Sequence, residues 1–244
     1  MPAWNSPDPV RKSGGQVRRL FARIAPRYDL ANRVLSLSVD RRWRRRAVRR
    51  LAPGSRDRVL DVFCGTGDLT GMLARTGAEV VGADFCPEMI AVAVRKLARR
   101  NGGPGAGIGA AFVAADALSL PFPDESFDLV TAAFGVRNLE DLDRGLAEMV
   151  RVSRRGGRIG VLEFGRPPSP WMERLYGIYL RRLLPRIGGW LTGDPPSYQY
   201  LSRSIPAFLD QAGLGRRMRA AGLDPVHCHD FTGGIAALHV GFRP

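Results

Sequence analysis

The sequence predicts an α/β fold in which a mostly parallel sheet is flanked by helices. Three short apolar runs each end in an acidic residue, namely Asp61, Asp84 and Asp116. The apolar runs read as buried strands, and strands that alternate with helices are typical of parallel sheets with right-handed crossovers. Acids at three successive strand ends indicate a site for a nucleotide-like ligand.

The first predicted strand leads into a glycine loop. Gly65 and Gly67 follow Asp61 closely, and a helix is predicted from about Asp68 to Arg75. Glycines allow a sharp turn and a close approach of the backbone to a ligand. The helix offers unpaired N–H groups at its start, so a ligand fits over this turn.

Two cofactors compete for this loop. A dinucleotide site has the pattern G-x-G-x-x-G, but here the third glycine is Gly71, one position late. A carboxylate such as Asp61 would repel a pyrophosphate, whereas it suits the cationic methionine part of S-adenosylmethionine. The pattern D-x-x-x-G-x-G therefore favours S-adenosylmethionine, with Asp61, Gly65 and Gly67 at the cofactor.

The second and third acids extend the same interpretation. Asp84 lies 23 residues after Asp61, where an acid can accept hydrogen bonds from both ribose hydroxyls. Asp116 ends the third strand and is placed to accept a hydrogen bond from the adenine amino group.

Composition and charge limit the cellular setting. The chain has 244 residues, 45% of them hydrophobic, and no apolar run near the ~20 residues of a membrane span. Residues 1–15 are polar and are expected to be disordered, and the three cysteines lack metal-site spacing, so a cytoplasmic protein is expected. The net charge of +14 is mostly arginine, including seven of the ten residues from Arg41 to Arg50. It reflects either composition bias or an anionic partner, which would be nucleic acid or a lipid surface.

The remaining elements follow from periodicity and turn residues. We expect one domain over residues 16–244, with N-terminal helices before the sheet and a helical insertion over residues 165–205 that covers the substrate. Gly156 and Gly157 are predicted to stop a helix that begins near Asp141. A glycine-rich loop is expected over residues 101–109, and a later helix over residues 207–221. The last two strands, 224–231 and 235–242, are expected to form an antiparallel pair. The five strands expected before them are 58–63, 79–84, 111–115, 127–133 and 158–164.

Several segments together resemble the quinone-biosynthesis C-methyltransferases, which act on demethylmenaquinol and on its ubiquinone-pathway counterpart. The resemblance runs from about Val17 to Pro244. Phe63 departs from it, because the family more often has a small residue there, and its ring is expected to point into the core. The segments that carry the resemblance are 21–32 (FARIAPRYDLAN), 134–139 (FGVRNL), 161–164 (VLEF), 198–201 (YQYL), 204–205 (SI) and 232–239 (TGGIAALH).

The resemblance implies a class I methyltransferase fold, with a Rossmann-like sheet of seven strands whose last strand is antiparallel. It implies methyl transfer from S-adenosylmethionine to a ring carbon of a reduced, prenylated quinone, with demethylmenaquinol preferred and the benzoquinol counterpart kept as an alternative. The family's cofactor positions match Thr66, Asp84, Asp116 and Ala117, and Tyr28 and Phe85 are added as cofactor contacts.

The chemistry requires a positioned ring and help with a phenolic proton. Arg137 follows the fourth strand and stays charged, so it is a candidate to stabilise a phenolate. Asn138 is assigned to substrate binding. Tyr200, Glu163 and His239 are the other acid–base candidates, and Tyr200 also contacts substrate. No metal is assigned, because His227 and His229 alone do not make a metal site.

Two rival functions remain at the level of sequence. A nucleic-acid methyltransferase would need an N-P-P-Y-like motif or a catalytic cysteine after the fourth strand, where this chain has residues 133–137 (AFGVR). A non-catalytic cofactor-binding module is the second rival. The expected partners are a membrane-embedded quinol and an anionic lipid surface on the inner face of the membrane. The residues expected to contact that surface are the arginines of Arg41–Arg50, Arg181, Arg182 and Arg186, with Trp171 or Trp190 entering the interface. No nucleic acid is expected, and a homodimer is kept as a candidate.

Overall fold

A computed structural model describes residues 13–100 and 109–244. Its sheet has seven strands in the order β3-β2-β1-β4-β5-β7-β6, and only β7 runs antiparallel to its neighbours. The predicted seven-stranded α/β sheet with an antiparallel last strand is therefore confirmed. The strands are β1 (Arg58–Val62), β2 (Glu79–Asp84), β3 (Ala110–Ala114), β4 (Phe127–Ala133), β5 (Ser153–Phe164), β6 (Val226–Phe231) and β7 (Ala236–Phe242).

Helices cover both faces of this sheet. Successive strand residues alternate between two hydrophobic clusters: Leu60 and Val130 belong to one, whereas Val59 and Leu129 belong to the other. Both faces of the central strands β1 and β4 are buried, which is why these strands are apolar at most positions. The helices are α1 (Gly14–Ile24), α2 (Tyr28–Leu35), α3 (Val39–Leu51), α4 (Asp68–Ala74), α5 (Pro87–Arg100), α6 (Leu142–Val152), α7 (Pro170–Ile178), α8 (Leu184–Thr192), α9 (Pro195–Ala207) and α10 (Gln211–Ala220).

The glycine loop between β1 and α4 has the predicted form. Gly65 and Gly67 have φ of 53° and 75°, which a side chain disfavours. A Cβ on Gly67 would lie 3.0 Å from the Cβ of Ala93, so α5 packs directly on the loop. The loop is thus fixed by backbone conformation and by close packing.

The insertion between β5 and α10 is helical, as expected. A π-helical turn (Tyr179–Leu183) joins α7 to α8, and α9 follows. These helices pack against α2 through Ala31, Leu184 and Tyr198. Together with α1 they form a helical cap at the carboxyl ends of the strands. Among residues 13–100 and 109–244, no helix is long and apolar enough to span a membrane.

The structure corrects several predicted boundaries. Helix α1 begins at Gly14, so Gly14 and Gly15 belong to it rather than to a disordered segment, and residues 1–12 and 101–108 lie outside the described part. Helix α6 ends at Val152, before the glycine pair that was predicted to stop it. Gly156 and Gly157 instead lie within β5, beside an irregularity in its register with β4, and a Cβ on Gly157 would lie 2.6 Å from Ser153 Oγ.

Candidate functional site

Two adjoining cavities open between the carboxyl ends of the strands and the helical cap. The first has a volume of about 420 Å³ and is called the cofactor cavity, because residues predicted to contact the cofactor line it. The second has a volume of about 430 Å³ and is called the substrate cavity, because Arg137 and Tyr200, predicted to contact the substrate, line it. Phe21, Tyr28 and Phe134 line both cavities and form the wall between them. The shared residues show that the two cavities are adjacent, so ligands bound in them would lie close to each other.

Acidic and aromatic residues predicted for the cofactor line the cofactor cavity. Asp84, Phe85, Asp116 and Ala117 all border it, as does Gly65. The carboxylate of Asp84 accepts hydrogen bonds from the backbone N–H groups of Gly65 and Cys86, both at 2.9 Å. Burial raises the pKa of Asp84, and these N–H groups offset part of that rise.

The carboxylates and the apolar walls fit an adenosine group. Asp116 accepts a hydrogen bond from the N–H of Leu118 at 2.9 Å and, like Asp84, keeps free lone pairs for ligand hydroxyl or amino groups. The side chain of Phe63 lies along this cavity and against Gly135. The ring of Phe63 also packs against the central hydrophobic core, so the prediction that it points into the core is only partly right.

Asp61 and Thr66 border a different space. A small cavity of about 30 Å³ adjoins the glycine loop and is also lined by Tyr28 and Gly65. The Asp61 carboxylate accepts hydrogen bonds from Thr70 Oγ1 at 2.6 Å and Thr131 Oγ1 at 2.9 Å. Burial raises the pKa of Asp61 to about 6, despite these two hydroxyl groups.

A polar network fastens α2 to the glycine loop. Lys96 Nζ donates to Asp29 Oδ2 at 2.7 Å, to Asp68 Oδ1 at 2.9 Å and to Thr66 Oγ1 at 3.1 Å. Thr66 in turn donates to Asp29 Oδ1 at 2.5 Å. Thr66 and Gly67 do not line the cofactor cavity, and their contacts indicate that they hold its loop in place.

Arg137 and Glu163 form a buried ion pair beside the substrate cavity. Arg137 Nη1 lies 2.9 Å from Glu163 Oε1, and both residues are almost fully buried. The guanidinium lies 5.2 Å from the centre of the Phe164 ring and also donates to the carbonyl oxygen of Phe134. Arg137 lines the substrate cavity but Glu163 does not, and Glu163 is in contact with Arg137 at 2.9 Å.

Tyr200 and Asn138 link the two cavities. The hydroxyl of Tyr200 donates to Asn138 Oδ1 at 3.0 Å. Tyr200 lines the substrate cavity, whereas Asn138 lines the cofactor cavity. Burial raises the pKa of Tyr200, so its hydroxyl is a proton donor at neutral pH.

A second buried ion pair was missed by the sequence analysis. Asp40 and Arg44 lie one helical turn apart on α3, pair at 2.8 Å and line the substrate cavity. Arg44 is 8% exposed, so it is not available to a lipid surface, and the prediction is wrong for this arginine. The sequence shows that Asp40 and Arg44 are four residues apart, a spacing at which helical side chains can pair. It does not show which of the seven arginines between Arg41 and Arg50 faces inward.

The histidines lie away from the cavities. His239 on β7 is buried, and its Nε2 lies 2.8 Å from the carbonyl oxygen of Gln211. It lines neither large cavity, so its contacts are structural. Within the described residues, no group of three or more histidine, cysteine and acidic side chains has the arrangement of a metal site.

The sheet, its antiparallel last strand and the paired cavities define a class I S-adenosylmethionine-dependent methyltransferase. Solved structures agree on the fold: a possible histamine N-methyltransferase from Thermotoga maritima aligns with a TM-score of 0.64 at 19% identity, over 93% of this chain and 99% of that one. Phosphoethanolamine N-methyltransferase 2 from Haemonchus contortus, in complex with S-adenosyl-L-methionine, aligns with a TM-score of 0.58 at 14% identity, over 81% of this chain and 51% of that one.

Sequence comparison defines the family more closely. The model of the ubiE/COQ5 methyltransferase family matches residues 10–243, and the chain belongs to this family. A demethylmenaquinone methyltransferase from Thermus thermophilus is 48% identical over 92% of this chain and 100% of the relative. Another from Deinococcus radiodurans is 44% identical over 99% of both chains. The predicted family is thereby confirmed. The cofactor is S-adenosylmethionine and not a dinucleotide.

Proposed function

We propose that this protein methylates a ring carbon of demethylmenaquinol, with S-adenosylmethionine as the methyl donor. The observation that carries the proposal is the largely apolar substrate cavity of about 430 Å³, which shares a wall with the cofactor cavity. Such a cavity suits an aromatic bicycle with an isoprenoid tail. The relatives named as demethylmenaquinone methyltransferases support the naphthoquinol over the benzoquinol ring.

The proposed cofactor contacts follow from the cofactor cavity. Asp84 would accept hydrogen bonds from the ribose hydroxyls and Asp116 from the adenine amino group, with Phe85 and Ala117 along the base. Asp61 and Tyr28 would face the methionine part through the small cavity beside Gly65. When bound, the cofactor supplies an electrophilic methyl group.

The proposed substrate contacts are Arg137, Tyr200 and Asn138. A quinol becomes a carbon nucleophile as it loses a phenolic proton, because the charge on oxygen is shared with the ortho carbon. Arg137 would stabilise that charge at the cavity wall, and Glu163 would hold Arg137 in position. Tyr200, fixed by Asn138, would donate to a quinol oxygen.

Purified protein should convert reduced demethylmenaquinone to the methylated product, with one S-adenosylhomocysteine formed for each ring methylated. The oxidised quinone should not react, because it lacks the electron-rich ring that attacks the methyl group. The measurement is anaerobic turnover followed by mass spectrometry of the quinone fraction. A parallel assay with the demethylated benzoquinol tests the ring preference, and an unchanged quinone pool in a deletion strain would contradict the proposal.

We also propose that the cap is the surface that meets the membrane. Of the eleven large hydrophobic side chains exposed in the described residues, nine lie on α2, the turn after it, and α7–α8. Helix α2, the turn after it and α7 border the substrate cavity, and Tyr179 joins α2 to the insertion by donating to the carbonyl oxygen of Leu35 at 2.8 Å. The nine side chains are Leu30, Val34, Leu37, Trp171, Leu175, Ile178, Leu183, Ile187 and Trp190.

Charge and exposed aromatic residues favour an anionic bilayer as the partner. Trp171 and Trp190 are 63% and 83% exposed, and tryptophan is enriched at membrane interfaces. Arg181 and Arg182 lie between α7 and α8 and are exposed. Each basic residue near such a surface contributes roughly 1 kcal/mol, which salt reduces. This contact would place the cavity where a prenylated quinol resides.

Vesicle sedimentation tests the membrane contact. We expect binding to vesicles that contain phosphatidylglycerol, loss of binding with added salt, and weaker binding after Arg181→Gln with Arg182→Gln. The matched control is Arg95→Gln with Arg99→Gln, which removes the same charge from exposed positions on α5. Equal binding to neutral vesicles, or an equal loss in the control, would count against this surface.

A further inference from the structure

We propose that Asp40 is the catalytic base that accepts the hydroxyl proton of the quinol, and that Arg44 then balances the charge left on the quinol oxygen. The inference rests on the proposed quinol methylation and concerns the same cavity. Asp40 lies in the first turn of α3, and its side chain lines the substrate cavity beside Arg44.

The first argument is the absence of another base. Among the described residues that line the substrate cavity, Asp40 is the only carboxylate, and no histidine, lysine or cysteine accompanies it. The guanidinium groups of the arginines there have hydrogen-bond donors and no acceptor, so they cannot serve as the base. Burial raises the pKa of every tyrosine in the lining, to about 12 for Tyr179, so these hydroxyls are neutral at pH 7.

The second argument is that the carboxylate is held in place. Asp40 Oδ2 accepts from Arg44 Nη1 at 2.8 Å, and Oδ1 accepts from Ser36 Oγ at 2.7 Å. Two such bonds leave further lone pairs on both oxygens for a ligand hydroxyl. Trp43 Nε1 donates to Thr232 Oγ1 at 2.8 Å and fastens α3 to the link between β6 and β7.

The third argument is position relative to the cofactor. The guanidinium of Arg44 lies 4.9 Å from the centre of the Phe134 ring, and Phe134 belongs to the wall between the two large cavities. Arg44 also lines the small space beside Gly65. The ion pair therefore lies on the side of the substrate cavity that faces the methyl donor.

The fourth argument is conservation of charge. The O–H bond of the quinol breaks, the proton moves to Asp40, and the electron pair stays on oxygen, shared with the ortho ring carbon that takes the methyl group. Arg44 loses its partner at that moment and gains the phenolate in its place, so the proton transfer itself leaves no buried charge unbalanced. Once the ring carbon has taken the methyl group, with the electrons of the donor's C–S bond left on sulfur, the quinol oxygen would be a neutral carbonyl, and it regains its charge when the ring C–H proton leaves. As the ring C–H proton departs to water, Asp40 returns its proton to the oxygen, and the net product of the exchange is one released proton.

Two variants test the base. Asp40→Asn keeps the shape and should lower kcat by roughly 10²- to 10⁴-fold, with binding of S-adenosylhomocysteine unchanged within about 3-fold. Because Arg44 is then unpaired, Asp40→Asn with Arg44→Gln provides a charge-balanced variant that should be at least as impaired, since it lacks both the base and the cation that balances the phenolate. Asp57→Asn breaks another Asp–Arg pair, with Arg158 at 2.6 Å, and should leave kcat near that of the native protein. Thermal unfolding confirms that each variant is folded.

A comparison of two quinols of different acidity distinguishes a catalytic base at position 40 from a residue that only stabilises the fold. The probes are a short-tailed demethylated naphthoquinol and the same compound with chlorine on its benzenoid ring, which lowers the pKa of the hydroxyl. The deficit of Asp40→Asn should shrink by about 2- to 5-fold on the chlorinated quinol, because that hydroxyl needs less help to ionise. A deficit equal on both quinols, or a kcat within about 3-fold of native, would overturn the role of Asp40. If the native protein methylates neither quinol, the proposed function fails instead.

Discussion

Arg137→Met is expected to lower kcat by about 10²- to 10³-fold and the free energy of unfolding by about 3–5 kcal/mol. The loss of activity follows from removing the charge that faces the quinol oxygen. The loss of stability follows because Glu163, which is 1% exposed, loses the buried cation that pairs with it at 2.9 Å. Chemical denaturation and steady-state kinetics measure the two effects separately.

A double variant separates the effect of Arg137→Met on the free energy of unfolding from its effect on kcat. Arg137→Met with Glu163→Gln removes both buried charges, so most of the lost stability should return, whereas activity should not. Recovery of activity in the double variant would show that Arg137 serves only to pair Glu163. Native activity in Arg137→Met alone would remove Arg137 from the site.

Asp84→Ala is expected to weaken binding of S-adenosylhomocysteine by about 1–3 kcal/mol, or roughly 5- to 150-fold. The carboxylate lines the cofactor cavity and also accepts from the N–H of Gly65 at 2.9 Å, so its removal costs a ligand contact and loosens the loop. Isothermal titration calorimetry measures the affinity directly.

Asp124→Ala is the control for Asp84→Ala, because Asp124 is exposed and pairs with Arg151 away from both cavities. Its affinity for S-adenosylhomocysteine should match that of the native protein. Tight binding of NADH together with no binding of S-adenosylmethionine would contradict the assignment of this cavity.

The sheet was predictable because its strands carry a strong local signal. Strands β1 and β2 are largely apolar on both faces and carry an acid near their carboxyl ends, and a third acid follows β3 closely, which is how Asp84 and Asp116 were found. The less regular end of β5 gave a misleading signal. Gly156 and Gly157 resemble the residues that end a helix. In the structure they lie in β5, where its register with β4 is irregular, and this irregularity depends on how the two strands pair.

The substrate side was less predictable, because its residues come from distant parts of the chain. Asp40 and Arg44 face inward only because α3 packs on the sheet through Trp43, Ala47 and Leu51. Nothing in a run of arginines marks the one that is buried. The role of Glu163 as a support for Arg137 likewise depends on two segments that meet only in the folded protein.

Phe63 and Gly135 constrain the order in which this site can change over evolution. Phe63 has φ of 58°, which is unfavourable for a bulky side chain, and its ring occupies the space where a Cβ of residue 135 would lie. Any side chain at position 135 is therefore excluded while Phe63 is present. Because the Cβ of Phe63 itself would lie 2.3 Å from a Cβ at position 135, only a glycine at position 63 removes this overlap, and it also relieves the backbone. The two positions are epistatic: substitution at 63 must precede substitution at 135 along any path that keeps the protein folded.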